Sequence, residues 1–576
     1  MCPGTCLVHR TRPRPARSGS VRSKHPSVIV TADDETILVW HRTDLRVRDN
    51  PALDRAAALA RENEATIQPV FVFDPRFYGS RSLACDGRAA FLHECLASLR
   101  EQYRERGAEL AFLHGEPAQR FGALLDTTNT RYSHLCYTRH PTARYGARRD
   151  DELGSRIGSG GEAGDSLHAR TTIEAVPEGA IVFDAQERGI DSREGWAEQC
   201  EEYLRGEHHP SPDSDVLVSE TNVPASDVTI EEIETQYGVD AVKRDVPRGT
   251  HRAAHRRLDW FTRAKTIDQY PGGISPPAEA ERRTSRLSPY LRFGLLSARQ
   301  VYQAGVERGG AERARDLFES RLYWNRHFRQ KLADNPTLTR EAVNPVLRGL
   351  YTDDDEHDPA LVAAWKAGRT GFPMVDASMR ALTETGWLNF RMRAMVASFF
   401  GYILKQWWRI GADFMYYHLV DADPAINYAQ WQMQCGLVGC HPNRIYNPRK
   451  QARENDPDGA FVRTYVPELR DLPTEFLARP ERAPVHVQHE CDTTIGDEPD
   501  VDYPYPVVDF EREATIAREQ FGRLADQARA ALDDPAVRRR ASLSRDRRQR
   551  MNGEATSEST TNERSDGGSQ HRLGEF

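Results

Sequence analysis

Lysine is almost missing from this chain of 576 residues: only 7 of its 78 basic residues are lysine, which leaves 71 arginines. That bias, set beside 86 acidic residues, fits a GC-rich, salt-adapted source and fits codon bias alone equally well. The net charge of −8 excludes a generally basic coat for nucleic acid, though not a local basic groove. No run approaches the roughly 20 apolar residues that cross a bilayer, so the chain reads as soluble and cytoplasmic, with no membrane partner. The nine cysteines include no CxxC pair, and the nearest spacings are Cys2/Cys6 and Cys435/Cys440. A zinc site wants two close pairs or a Cys/His set, so no metal is expected. Only Cys435, Cys440 and Cys491 stand near the C-terminus, too few for a four-cysteine iron–sulfur cluster. The first strand is not followed by GxGxxG, which argues against a standard NAD site.

What is present supports real cores: 39% hydrophobic and 9% aromatic residues, over a length that suggests roughly two to four domains. Residues 1–35 are Arg/Pro/Ser-rich, without the apolar core of a signal peptide, and read as a disordered basic arm or a mis-assigned start rather than as a targeting segment. From 36 to 204, strands alternate with helices. Ile37–Trp40, Ile67–Phe73, Glu109–Leu113 and His134–Tyr137 read as strands; Asn50-Pro51 opens one helix, and Arg88–Arg106 forms another. This alternation predicts an α/β doubly wound parallel-sheet domain. Residues 205–250 read as a connection, and 251–534 as an all-α domain ending in a helix from Phe510 to Leu532. Residues 535–576 carry seven arginines within Arg538–Arg550 and are too poor in apolar residues to fold, so they read as a disordered tail.

Three segments carry chemistry. The run Thr284-Ser285-Arg286-Leu287-Ser288 stands at a helix start, where hydroxyls, N–H groups and a guanidinium suit a diphosphate; a hydroxyl there is more often only a cap. Arg393 and Asp421 are set in apolar helices. An unpaired buried charge is costly, so they read either as a structural salt bridge or as a pair beside a polar cofactor. In the third segment, Asp421, Asp423 and Asn427 could read a ring system with both donors and acceptors. Trp431 lies beside them, with Trp407-Trp408 upstream, and most such tryptophans are simply core.

Together these segments resemble the photolyase/cryptochrome family over about residues 36–530. Trp40–Leu53 looks like the family's first strand and turn, with His41 where phenylalanine is common. Thr284–Gly294, Gly371–Arg393, Asp421–Trp431, Arg444–Pro448 and Asp456–Leu469 follow in family order. The resemblance implies that the helical domain binds FAD. Thr284, Ser285, Arg286, Leu287 and Ser288, with Tyr270, would hold the diphosphate. Arg393 and Asp421 would flank the isoalloxazine, Asp423 the ribose or adenine side, and Asn427 would face flavin N5. Trp431 and Trp408 match the proximal and middle members of an electron-transfer chain. The distal tryptophan is missing: its position falls near Asp355, which leaves Trp407, Tyr402 or Tyr351 as exits.

The family's cyclobutane-dimer pocket offers a glutamate, a tryptophan, an asparagine, a methionine and a second tryptophan. Here the matching positions are Arg321, Trp324, Phe390, Ala394 and Met433, so only Trp324 remains. The histidines of (6-4)-type enzymes are also absent. These departures lean to a cryptochrome-like photoreceptor with a signalling protein as partner. The alternative is a DNA photolyase acting on single- or double-stranded damaged DNA. An antenna chromophore is implied as well. Tyr145-Gly146-Ala147-Arg148-Arg149-Asp150 looks more like deazaflavin binders than folate binders, and an empty antenna site stands equally open.

Overall fold

The computed structural model describes residues 35–541, apart from 80–81, 128–129, 159–170, 184–192, 219–225, 353–356, 441–443 and 499. The basic arm, the Arg545–Arg550 cluster and the acidic run around Asp355 therefore lie outside the described residues. Among those described, no helix is long and apolar enough to cross a membrane.

Five parallel strands form the N-terminal sheet: β1 (Glu35–Trp40), β2 (Thr66–Phe73), β3 (Ala111–His114), β4 (Arg131–Arg139) and β5 (Thr172–Pro177). Their order is β3-β2-β1-β4-β5, so the chain reverses direction across the sheet between β1 and β4. Helices cover the faces: α1 (Pro51–Asn63), α2 (Asp86–Arg104), α3 (Pro117–Thr127) and α4 (Arg144–Gly158). The start of α1 is set locally. Pro51 pre-sets the first turn, and the Asn50 side chain accepts the Leu53 N–H at 3.1 Å. In doubly wound sheets the crevice beyond the strand ends at such a reversal is where ligands bind. Here that crevice faces the second domain. β5 escaped the sequence reading because it is an edge strand whose residues are half-exposed or exposed throughout, so its apolar signal is weak.

The second domain is helical. Its cavity walls come from α5 (Ser288–Phe293), α6 (Glu312–Asp334), α8 (Phe390–Ser398), α9 (Trp408–His418) and α10 (Pro424–Gln434), with α7 (Pro373–Thr385) packed against α8. A turn of π-helix at Phe399–Ile403 follows α8. Near the C-terminus come α11 (Phe510–Ala531), close to its expected span, and α12 (Pro535–Ala541). α12 corrects the expectation of a structureless tail from 535. Val537 and Ala541 bury against Phe328 and Leu332 of α6 and Ala425 and Ala429 of α10. Two apolar residues at helical spacing were enough, because a docking surface already existed.

An ionic junction joins the domains. Glu178, just past β5, accepts from Arg326 at 3.0 Å and from Arg329 at 2.7 Å on α6, and pairs with His140 at 2.9 Å. Burial opposes the charge on Glu178, but the two arginines and His140 outweigh it and hold the carboxyl well below its usual range.

Candidate functional site

The wall helices enclose a cavity of about 330 Å³, within the range of small-molecule clefts. Tyr270, Thr284, Ser285, Arg286, Ser288, Trp324, Arg393, Asp421, Asp423, Asn427 and Trp431 all line it. Eleven residues singled out in the sequence, from positions 270 to 431, thus converge on one space. Leu287 does not line it: its side chain is 1% exposed and belongs to the apolar core. Trp408 also stands outside the lining, at the start of α9 and 5% exposed.

The loop before α5 is built to present groups. Arg286 has φ 50°, a left-handed conformation that a non-glycine residue adopts only when its surroundings hold it there. Its guanidinium lies 4.0 Å over the Trp387 ring and pairs with Glu281 at 3.4 Å. Arg257 ties the loop down, donating to the carbonyls of Ser285 and Thr284 at 2.9 Å each. Burial, and then the neighbouring Arg286, pull Arg257 down to about 10. The Thr284 hydroxyl donates to Ala280 O at 2.6 Å, and Ser285 Oγ accepts the Leu287 N–H at 3.5 Å, whereas Ser288 is exposed at the lining.

Arg393 and Asp421 form the predicted ion pair, with one Arg393 nitrogen 3.0 and 3.1 Å from the two carboxylate oxygens. Asp423 stands beside them, but its oxygens are already engaged. One accepts the Ala425 and Ile426 N–H groups and so caps α10; the other pairs with Arg329 at 3.0 Å. Burial opposes ionisation of Asp423, and Arg329 and Arg292 override it, holding the carboxyl low. Asp423 therefore positions α10, a role its capping place before Pro424 could have revealed in the sequence.

Asn427 donates its amide to Ala412 O at 3.0 Å, which leaves Oδ1 as the acceptor on the cavity side. Trp431 packs on Gly411, where a Cβ would come within 2.3 Å of the indole ring. Gly411 sits one turn beyond Trp408 on α9, so Trp431 rests on the helix that carries Trp408. Trp365 also touches Trp431, with centroids 6.0 Å apart. Trp407 stacks on His357 at 6.5 Å, Tyr402 packs on Phe521 at 4.7 Å, and the Tyr351 hydroxyl donates to Gln520 at 2.6 Å.

The lining suits a large anion with polar ring edges. Five arginines (Arg286, Arg292, Arg321, Arg329, Arg393) face two aspartates, Asp421 and Asp423. Buried excess charge is costly, and a diphosphate would balance it. The residues fit FAD. At the mouth, Arg321 lies 5.8 Å over the Phe390 ring, and Phe390 is 36% exposed.

A second cavity, of about 660 Å³, fills the crevice at the β1/β4 reversal. Trp40, Arg42, Tyr145, Arg148 and Arg149 line its α/β side, and Arg292, Arg329 and Asp423 belong to both cavities. Arg42 stands 5.0 Å over Trp40 and 5.1 Å over Tyr137.

A parallel sheet, a helical second domain and a basic cavity with an Arg–Asp pair define a two-domain nucleotide-cofactor protein. Comparison with known proteins gives its family. Family models described as "DNA photolyase" and "FAD binding domain of DNA photolyase" match residues 37–178 and 318–523. A deoxyribodipyrimidine photo-lyase of Streptomyces griseus is 30% identical over 488 residues, covering 84% of this chain and 98% of its own. A cryptochrome DASH of Natronomonas pharaonis is 29% identical over 498 residues, covering 83% and 98%. The crystal structure of a Synechocystis cryptochrome superposes with a TM-score of 0.70 at 24% identity, covering 84% and 99%. The chain belongs to the photolyase/cryptochrome family of FAD-binding proteins.

Proposed function

We propose that this protein is a blue-light-driven electron-transfer flavoprotein acting as a cryptochrome-like photoreceptor. The observation that carries the reading is Trp431, which lines the cavity on one side and rests on the Trp408 helix on the other. Arg286, Ser285 and Ser288 would hold the diphosphate, with Thr284 and Tyr270 beside them. Arg393 and Asp421 hold the ring system, and Asn427 offers its Oδ1 to a ring N–H. When bound, FAD supplies a light-absorbing one-electron carrier. Trp431 gives up an electron on the cavity side and recovers it from Trp408. Its indole N–H has no acceptor among the described residues, so an oxidised Trp431 keeps its proton and the hop stays fast. A signal to a protein partner leaves through α12, which docks on two of the helices that line the cavity, α6 and α10. The second cavity, cationic and aromatic, takes an anionic antenna of the deazaflavin kind.

A second reading is repair of pyrimidine dimers in DNA. It is supported by the relatives named photo-lyase and by the exposed Phe390 beside Arg321 and Trp324 at the mouth, a stacking surface with a cation. One assay separates the two. The protein with reduced flavin is illuminated with dimer-containing single- and double-stranded DNA. Dimer loss matching an active photolyase overturns the photoreceptor reading. Absence of repair, with light-driven flavin reduction that Trp431→Phe slows, overturns the repair reading.

A further inference from the structure

We propose that Tyr428 is the terminal electron donor of the tryptophan chain, giving its electron to Trp408 and its phenol proton to the carboxylate of Asp413. The inference rests on the reading above that oxidising equivalents pass from Trp431 to Trp408.

The geometry follows from two adjacent helices. Tyr428 is on α10, one residue past Asn427, and its ring meets Trp408 of α9 edge-on at 6.3 Å between centroids. Its hydroxyl donates to Asp413 Oδ1 at 2.6 Å. Asp413 lies on α9, five residues after Trp408, and accepts Arg409 Nε on the same oxygen at 2.9 Å.

The chemistry requires the carboxylate. A phenol is hard to oxidise while it keeps its proton, and burial and then Asp413 push Tyr428 far above its usual range, so it stays protonated at any working pH. The step balances as one electron and one proton leaving Tyr428. The electron fills the vacancy on Trp408, the O–H bond breaks, and a new O–H bond forms on Asp413. The products are neutral Trp408, a neutral tyrosyl radical and a carboxylic acid. The Asp413 side chain is 50% exposed, so the proton can pass on to water and the return path is cut. Trp431 has no such acceptor, which makes Tyr428 the place where charge separation becomes long-lived.

The charged and titratable groups around Tyr428 are few. Arg409 lies 4.9 Å over its ring and Tyr416 stacks on it at 5.7 Å, while Arg88 of α2 caps Tyr416 at 4.8 Å. Tyr428, Tyr416 and Arg409 all line the 660 Å³ cavity between the domains. The radical would therefore form at the wall of that cavity, within reach of a small soluble reductant.

The test uses the FAD-loaded full chain, illuminated and followed by transient absorption and radical resonance. The wild type is expected to yield a tyrosyl radical, and Tyr428→Phe a tryptophan radical that recombines about tenfold faster or more. Asp413→Asn, a change on the surface that leaves the aromatic packing intact, is expected to slow tyrosyl formation about tenfold to a hundredfold, the scale of a lost proton acceptor. In the flavin-free protein, Asp413→Asn should shift the C–O stretch of isotope-labelled Tyr428, which reads the hydrogen bond without any photochemistry. The same radical and lifetime in both variants overturns the role of Tyr428 while the tryptophan chain stands. Flavin reduction insensitive to Trp431→Phe overturns the chain and this proposal with it.

Discussion

The side-chain amide of Asn427 donates to the carbonyl oxygen of Ala412 at 3.0 Å, and so ties α10 to α9 in the cavity wall. The bond fixes which end of the amide faces the cavity. Asn427→Asp would set a carboxylate against that carbonyl, so it should destabilise the protein by about 1–3 kcal/mol, more than Asn427→Ala. The penalty should shrink as pH falls and the new acid protonates. Thermal unfolding of both variants at neutral and acidic pH checks this.

Gly411 is the contact through which Trp431 approaches α9. A Cβ there would meet the indole at 2.3 Å, so Gly411→Ala should cost about 1–3 kcal/mol by overpacking. The same substitution should slow light-driven flavin reduction, because Trp431 must move. A Tm measurement and a photoreduction time course, made on one preparation, test both effects.

The Glu178 junction predicts a coupled loss. Glu178→Gln leaves Arg326 and Arg329 short of a buried counter-charge, at a cost of about 3–5 kcal/mol. Arg329 also holds Asp423, the cap of α10. FAD retention on dilution should therefore fall with stability, whereas a surface variant such as Arg61→Gln should change neither.

His251 gives a pH dependence with a definite sign. Its Nε2–H donates to Leu45 O at 2.7 Å and its Nδ1 accepts from the Ser98 hydroxyl at 2.9 Å, joining the two domains. Burial is the main cause that lowers it to about 4, against 6.5 in the open chain. The folded protein thus prefers neutral His251, and below 6.5 the unfolded chain takes up the proton first. This contribution is complete above pH 6.5 and is lost as pH falls toward 4, about 2 kcal/mol of it by pH 5. Denaturant titrations at pH 7 and pH 5 should show that loss in the wild type and a flatter response in His251→Gln.

Much of this was legible in the sequence, for identifiable reasons. Runs such as Ile37–Trp40 and Ile67–Phe73 are buried almost throughout, so their continuous apolar character announces strands. The ion pair of Arg393 and Asp421 was legible because a lone charge in an apolar helix demands a partner. Leu287 turns its side chain into the apolar core, a direction that a motif read along the sequence does not show. Asp423 lines the cavity as expected, and its further service to α10 and Arg329 shows only once the helices are packed. Tyr428 escaped notice because its significance depends on Trp408 and Asp413, residues that only the packing of α9 on α10 brings within reach.

The central claim is that light-driven electron transfer enters the chain through Trp431. The most direct test is the rate of light-driven flavin reduction in Trp431→Phe, compared with the wild type at matched flavin content. A fall of about tenfold or more is expected, equivalent to a barrier higher by about 1.4 kcal/mol or more, with flavin binding retained. An unchanged rate in a folded, flavin-loaded variant would contradict it.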